Sequence, residues 1–505
     1  MAVIVTMIIA MGTVLAGGGS EVSIEVAPDA AERAAEPTAT TTTSTTTTTT
    51  TTTPTIPVAG GSVQIETETD GAGTVTLLAG GEDHRYGDSV VFVAEPDDGQ
   101  VFERWDTEPA IFAGWWDATL AHRVPIATTA TAGSATASVD IDFGALLAAA
   151  GTSGTFAPDS IRVVEVDPDG VVIDGLVVHQ FLATDGASGR LFVDLTDGPL
   201  GARSFHVYFD TLEASIAPRA FEPIVAAVEG VERNGITTIE ISAGETSWYF
   251  DGAGGGFVSM VDVDGDDWIS WNTTPGSAGT FRGIPNAVFP EGYLHPGSAG
   301  HRTTIVENGP LLVVLETVRT DGSWATTWTI DAAGASMVMD TADAGYWFLY
   351  EGTPGGSLGS EDVVIRNDGQ RTTADVPWTE DLSGTEWVAV ADATSGRSIL
   401  LVNHQDDTAI DSYGPLDEVM TVLGFGRTGV VPALEDVPAT YSVRFVDSGE
   451  TSDLNAQADA ATTETVAELG SLATRTEGAL TEETLRVALT GDLSVSAVFT
   501  AAVDS

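Results

Sequence analysis

Between residues 281 and 302 the chain packs Arg282, Asn286, Tyr293, His295, His301 and Arg302 into one Gly/Pro-punctuated stretch, FRGIPNAVFPEGYLHPGSAGHR. An arginine or asparagine can neutralise a sugar carboxylate, and a tyrosine or histidine can take the acidic sugar proton beside it, which is what eliminating cleavage of a polysaccharide requires. The same side chains can equally tie a loop to backbone carbonyls, and loop spacing alone does not separate the two uses. A second cluster, Tyr346-Trp347-Phe348-Leu349-Tyr350-Glu351-Gly352, sets aromatic rings beside a carboxylate. Rings stack on sugar C–H faces, and a carboxyl group at a strand end can act as acid or base. Strand alternation nevertheless sends half of such rings into a core. Hydrolysis would need a second carboxylate facing Glu351, for which Asp406 or Asp407, after Asn403-His404-Gln405, are the candidates. The expected catalytic set is therefore Arg282, Asn286, Tyr293, His295, Glu351 and His404, with His301, Arg302, Trp271, Trp347 and Tyr350 as substrate contacts.

A third pattern, Asp262-Val263-Asp264-Gly265-Asp266-Asp267, puts alternating carboxylates at a turn. A hard cation such as calcium wants several oxygens in a tight bend, so Asp262, Asp264 and Asp266 are candidate ligands. The glycine comes early and no bidentate glutamate follows at the usual distance, and Asp-Gly-Asp-Asp is also ordinary hairpin chemistry. Other motifs are excluded. Gly252–Gly256 has neither the lysine nor the βα context of a phosphate loop, no H-E-x-x-H or G-x-S-x-G occurs, and the absence of cysteine removes disulfides, thiolate metal sites and a thiol nucleophile. His84, His122, His179 and His206 stand isolated and read as structural.

Short alternating runs with turn signals about every ten residues must position these groups, and they predict an all-β, multidomain architecture of sandwiches. Strands are expected at Arg123–Thr128, Ser138–Phe143, Ile161–Val166, Val171–Val178, Leu191–Asp194 and Phe205–Phe209 in a first sandwich over 110–215. A larger β unit over 216–450 holds eight of the eleven tryptophans and three of the seven histidines, and so holds the candidate site. Helix is expected only at Ala217–Val231 and from about Leu454 to Leu472, the latter within a helical or linking segment at 451–475.

The charge narrows the partners. Nineteen basic residues, all arginine, stand against 74 acidic ones, for a net charge of −55. Such a field repels phosphate backbones and anionic lipid surfaces, so neither nucleic acid nor an anionic membrane is an expected partner. The acids are spread through turns and strand faces in every unit, which suits a solubility adaptation of the whole chain. Residues 1–20 carry an apolar run of secretory length with small residues before a cleavage point after Ala16, although no basic residue precedes it. Residues 21–60 are dominated by threonine and predict an extended tether.

Residues 72–106 carry Gly73-Thr74-Val75, Tyr86-Gly87, a strand from Val90 to Pro96, then Gly99, Phe102 and Trp105. These marks resemble the bacterial internalin-type B-repeat, a small β module that closes with a final strand soon after its tryptophan. Here the complementary strands come only at Leu485–Leu489 and Ser494–Phe499. The resemblance implies one module, 61–109, completed by 476–500 within the closing segment 476–505, with the rest of the chain inserted at an exposed turn. The 110–215 unit resembles accessory sandwiches of secreted bacterial polysaccharide-processing proteins. Most of 245–430 is similar to an uncharacterised secreted bacterial module found fused to carbohydrate-active chains. By fold analogy, the size of the large unit suits the supersandwich shared by sugar mutarotases and several polysaccharide lyases. The expectation is a monomeric protein, secreted or at the cell surface, that cleaves an extracellular polysaccharide as lyase or hydrolase. The alternative is a non-catalytic glycan-binding or adhesion protein, and no cofactor beyond calcium is implied.

Overall fold

The computed structural model describes residues 116–475 except 118, 169 and 289–291. Outside that span it gives only the backbone of the strands Val3–Ile8, Ser62–Gly71, Gly73–Ala79, His84–Arg85, Ser89–Pro96, Glu483–Ala488 and Leu493–Ala501. The threonine tether and the expected cleavage point lie outside the described residues. Ser62–Gly71 runs antiparallel to Leu493–Ala501, with Ile65 opposite Phe499, and Leu493–Ala501 pairs in turn with Glu483–Ala488.

The architecture is all-β and multidomain. The first sandwich opposes two sheets. One runs His179–Ala183, Ser188–Asp194, Thr136–Asp142; the other centres on His122–Ala130, Gly201–Phe209 and Arg162–Val166. Inward residues alternate with outward ones along His122–Ala130, and Phe143, Phe156 and Phe209 knot the core, with Phe143 and Phe156 stacked at 4.2 Å. A short helix, Phe143–Ala149, starts where the Asp142 carboxylate accepts the Ala145 N–H. The sandwich is finished by the far end of the chain. Thr465 and Ala467 bond the Ser138 backbone, Glu468–Leu469 pairs with Ile126 and Ala127, and Ala473–Thr474 pairs with His122 and Arg123. The segment expected as a linker is thus helical only over Thr451–Thr462 and then serves as sandwich edge.

The expected helix at Ala217–Val231 does not form. Val225–Arg233 is a strand paired with Ile236–Ala243. Its valines are β-branched, and Val225 and Ala227 face the core with period two, so tertiary burial decides the matter against local helix propensity.

In the large unit, Val225–Arg233, Ile236–Ala243, Thr246–Asp251 and Gly256–Val261 form a meander. A nine-stranded sheet follows in the order His301–Asn308, Val313–Arg319, Ala325–Asp331, Gly334–Thr341, Ala439–Val446, Ser398–Asn403, Glu386–Ala391, Val363–Arg366, Arg371–Thr373. A third sheet orders Phe348–Gly352, Met420–Phe425, Asp411–Leu416 and Trp378–Glu380. Trp248, Phe257, Trp328, Phe348 and Tyr441 belong to the one core these sheets enclose. Glu386–Ala391 and Ser398–Asn403 are buried along their whole length because the helix Thr451–Thr462 lays Leu454 and Ala458 on their outer face. The Trp387 indole N–H donates to Asn455 at 3.0 Å and fixes that helix in place.

Candidate functional site

The strand Phe348–Gly352 is buried at every position and pairs along one edge with Met420–Phe425. Its other edge takes the loop. Gly283 and Glu351 exchange both backbone hydrogen bonds, at 2.7 and 2.9 Å. Only glycine fits there, because its φ is 155° and a Cβ would lie 2.5 Å from Pro296 Cδ. This bridge brings distant residues together: the Asn286 amide donates to Glu351 Oε2 at 2.6 Å, and His295 Nε2 lies 3.8 Å from the same oxygen. Burial pushes Glu351 up to about 7, against the Asn286 bond and the Arg427 charge, and burial lowers His295. Both ring nitrogens of His295 face carbonyl oxygens, Nδ1 at 2.8 Å from Pro296 and Nε2 at 3.3 Å from Phe281.

Among the described residues, Arg282 reaches no carboxylate. Its Nε donates to the Ser277 carbonyl at 3.0 Å, with longer contacts to the Ser270 and Val419 carbonyls. It ties loop to loop, and Glu351, His295 and Arg282 are exposed by only 7, 7 and 9%. The structure separates the other expected members. Tyr293 is half-buried under the Arg319 guanidinium, 3.9 Å from its ring centre, with Trp324 at its edge and His301 at 5.9 Å. His301 is buried at the start of the edge strand, and Arg302 points to solvent. His404 sits at 2.8 Å from the Ser442 hydroxyl, lowered to about 4 by burial and then by Arg444. Trp271, Trp347 and Tyr350 are core rings rather than sugar platforms. Trp271 packs on Gly297, Trp347 joins Leu349 and Met420, and the Tyr350 hydroxyl bonds the Trp268 carbonyl.

The aspartate turn holds an arginine where calcium was expected. Arg397 contacts Asp262 at 2.7 Å, Asp264 at 2.9 Å and Asp447 at 2.6 Å. The other Asp262 oxygen accepts the Asp264 and Asp266 amides, and the Trp268 indole shares the first, so both oxygens are engaged within the fold. Among the described residues, the carboxylates spaced to hold a cation are instead Asp381, Glu386 and Asp411, whose oxygens lie within 4.8 Å of one another.

Glu386 of that group bonds Asp407, which lines a cleft of about 390 Å³ on the same unit. Its lining includes Tyr346, Gln405, Asp407, Asp436 and Tyr441, with Glu435 also present, and none of the lining side chains is cationic. Asp407 connects floor to interior. Its N–H donates to Glu386 Oε1 at 3.0 Å, and the Asn403 amide bonds both Glu386 Oε2, at 2.6 Å, and Asp407 Oδ2, at 3.1 Å. Burial raises Glu386 to about 8 and Asp411 to about 7. The Tyr346 hydroxyl donates to the Asp436 carbonyl and meets Tyr441 at 3.1 Å. Burial raises Tyr346 to about 12, opposed by the Tyr441 bond and reinforced by the Asp436 and Asp407 carboxylates. A larger cleft, about 720 Å³, runs along the seam of the first sandwich and the helix Thr451–Thr462. Alanines and threonines dominate its lining, and no aromatic ring or histidine enters it.

Of the cleft carboxylates, the sequence singles out Asp407 alone, as a candidate partner for Glu351. Glu386 has a visible signal, being the one charge in the apolar strand Glu386-Trp387-Val388-Ala389-Val390-Ala391. Asp411, Asp436 and Tyr441 have none, since only the sheet order brings them together. No protein-family model matches the chain, and no curated protein shows significant similarity to it. Function must therefore be read from geometry. Among the described residues, no helix is long and apolar enough to cross a membrane.

Proposed function

We propose that the chain is an extracellular carbohydrate-active protein that hydrolyses a neutral glycan in the Asp407 cleft. One observation carries this: Asp407 and Asp436, on separate loops, both line a 390 Å³ cleft together with Tyr346 and Tyr441. Two carboxyl groups flanking a bound sugar are the minimum for glycoside hydrolysis, one protonating the leaving oxygen and the other activating water or attacking the sugar. Glu386 and Asn403 position Asp407 through its backbone N–H and its Oδ2. Elimination fits this cleft poorly. No cationic side chain lines it to neutralise a uronate, and burial holds the tyrosine hydroxyls protonated, which makes them weak bases.

Support for an extracellular location is the apolar N-terminal run and the threonine tether. The split repeat module is supported by the antiparallel pairing of Ser62–Gly71 with Leu493–Ala501. The nine-stranded sheet packed against smaller sheets is consistent with a supersandwich of the mutarotase kind. A second reading, glycan binding without catalysis, is favoured by the bonds Asp407 already makes, Oδ1 to the Ala409 N–H and Oδ2 to Asn403.

The test is to incubate the full chain with neutral and acidic polysaccharides, following reducing ends and the absorbance of unsaturated sugars. Reducing ends without unsaturated product, lowered about 10²- to 10⁴-fold by Asp407→Asn and by Asp436→Asn, are expected. Unsaturated product would overturn hydrolysis in favour of elimination. No product from any substrate, with retained affinity on a glycan array, would establish the binding reading.

A further inference from the structure

The buried group formed by Glu351, Asn286 and His295 is not used by the cleft chemistry, yet it joins Phe281–Asn286 and Leu294–Gly297 to the core. Every atom facing the His295 ring at hydrogen-bond range is an acceptor: the Pro296 carbonyl, the Phe281 carbonyl and, just beyond, Glu351 Oε2. A neutral imidazole has one N–H and satisfies one of these carbonyls, leaving its lone pair against the other. One further proton settles in either of two places, and only on the ring does it also remove that lone pair. On His295 it makes an imidazolium that donates to both carbonyls and faces a Glu351 carboxylate at 3.8 Å. On Glu351 it makes an acid that donates to the Asn286 amide, turned to present its oxygen.

We propose that His295 and Glu351 form a one-proton couple that latches Phe281–Asn286 and Leu294–Gly297 onto the strand Phe348–Gly352, and that losing this proton in alkaline solution releases them. Without it, Glu351 is a buried carboxylate with no cation in contact among the described residues, and no proton is left to relieve the imidazole lone pair, so the closed form is opposed. Among the described residues the charged and titratable neighbours are few. Asp251 acts on His295 from the turn after Thr246–Asp251, and Arg427 acts on Glu351 from the third sheet's edge. His301 shares Asp251 but faces Arg319, and Arg282 acts on Tyr350 and Asp267. None touches the couple. The direction agrees with burial, which holds the Glu351 proton up to about 7.

The latch is read by amide hydrogen exchange of the full chain at pH 6 and pH 9, corrected for the intrinsic rate. The reporters are the amides of Gly283, bonded to Glu351 O; Glu351, bonded to Gly283 O; and His295, bonded to Gly254 O. Their protection should fall on the order of ten- to a hundredfold relative to the nine-stranded sheet. Glu351→Gln keeps the Asn286 bond but has no proton to lose, so its protection should not depend on pH. Equal protection at both pH values in the native chain overturns the proposal, as does an unchanged pH dependence in Glu351→Gln. Should that variant fail to fold, carboxyl-¹³C glutamate in the native chain decides: a change in the Glu351 carboxyl signal near neutrality, from its own proton or from loss of the His295 proton beside it, supports the couple, and no change near neutrality overturns it. None of these readouts depends on whether the Asp407 cleft is catalytic.

Discussion

Two buried glutamates of the large unit share one local chemistry and differ in what lies beyond it. Glu351 accepts the Asn286 amide at 2.6 Å, and Glu386 accepts the Asn403 amide at 2.6 Å. Burial holds both in the protonated direction. Around Glu351 the next groups are the His295 ring, backbone carbonyls, glycine and proline packed against the strand edge. Around Glu386 the next group is Asp407, which lines a 390 Å³ cleft together with tyrosine hydroxyls and Asp436. A perturbed carboxyl group marks a reaction centre only where a substrate can reach it or its immediate neighbour. By that criterion the Glu351 group is a structural latch, and the Glu386 group supports a site.

The sharpest way to break this contrast is to measure rates. On any substrate the native chain cleaves, Asp407→Asn should lose about a thousandfold in kcat/KM. Glu351→Gln, assayed at pH 6 where the latch is closed, should stay within about threefold. The reverse order would move the reaction centre to the 281–297 stretch and leave the cleft without a role in catalysis.

Stability against pH sharpens it next. Glu386 is raised from an ordinary 4.5 to about 8, so its contribution is whole below about 4.5 and is lost as the pH rises through 8. Each tenfold gain in proton affinity on folding is worth about 1.4 kcal/mol. The loss is therefore on the order of 5 kcal/mol for Glu386 and, with Glu351 raised to about 7, on the order of 3 kcal/mol for Glu351. Urea midpoints of the native chain should fall between pH 5 and pH 9. Glu386→Gln should flatten that decline more than Glu351→Gln does. A native chain equally stable at both pH values would mean that neither acid is held protonated by the fold.

The all-β architecture and most strands of the first sandwich are legible in the sequence because period-two burial is written directly into runs such as His122–Ala130. The Glu351 group is half legible. Asn286 and His295 share one conspicuous loop, but their meeting with Glu351 depends on a backbone bridge at Gly283 that no local pattern announces. Aromatic clusters mislead for a physical reason: Tyr346–Tyr350 looks amphipathic on paper, but the strand is covered on both faces, so the rings are core. The Asp262 turn misleads likewise, since its cation is Arg397, 135 positions away. The cleft is the least legible, because Asp407, Asp436 and Tyr441 meet only through the order of sheets that sequence periodicity does not encode.

The smallest expected effects concern the two arginines that the sequence makes most conspicuous. Arg282 donates only to backbone carbonyls, so Arg282→Met should cost about 2 kcal/mol of stability, measured by urea unfolding, as charge-assisted bonds to the loop are lost. Its kcat/KM should be unchanged once the variant is fully folded. Arg302 points to solvent from an edge strand, and Arg302→Ala should shift the urea midpoint by less than about 0.5 kcal/mol equivalent and leave the rate alone. The pair thus separates two meanings of a scarce positive charge in an acidic protein. A loss of rate without a loss of stability at Arg282 would show that the guanidinium meets substrate after all. A stability loss alone makes it a clasp, the same office that the adjoining His295 and Glu351 perform with a proton.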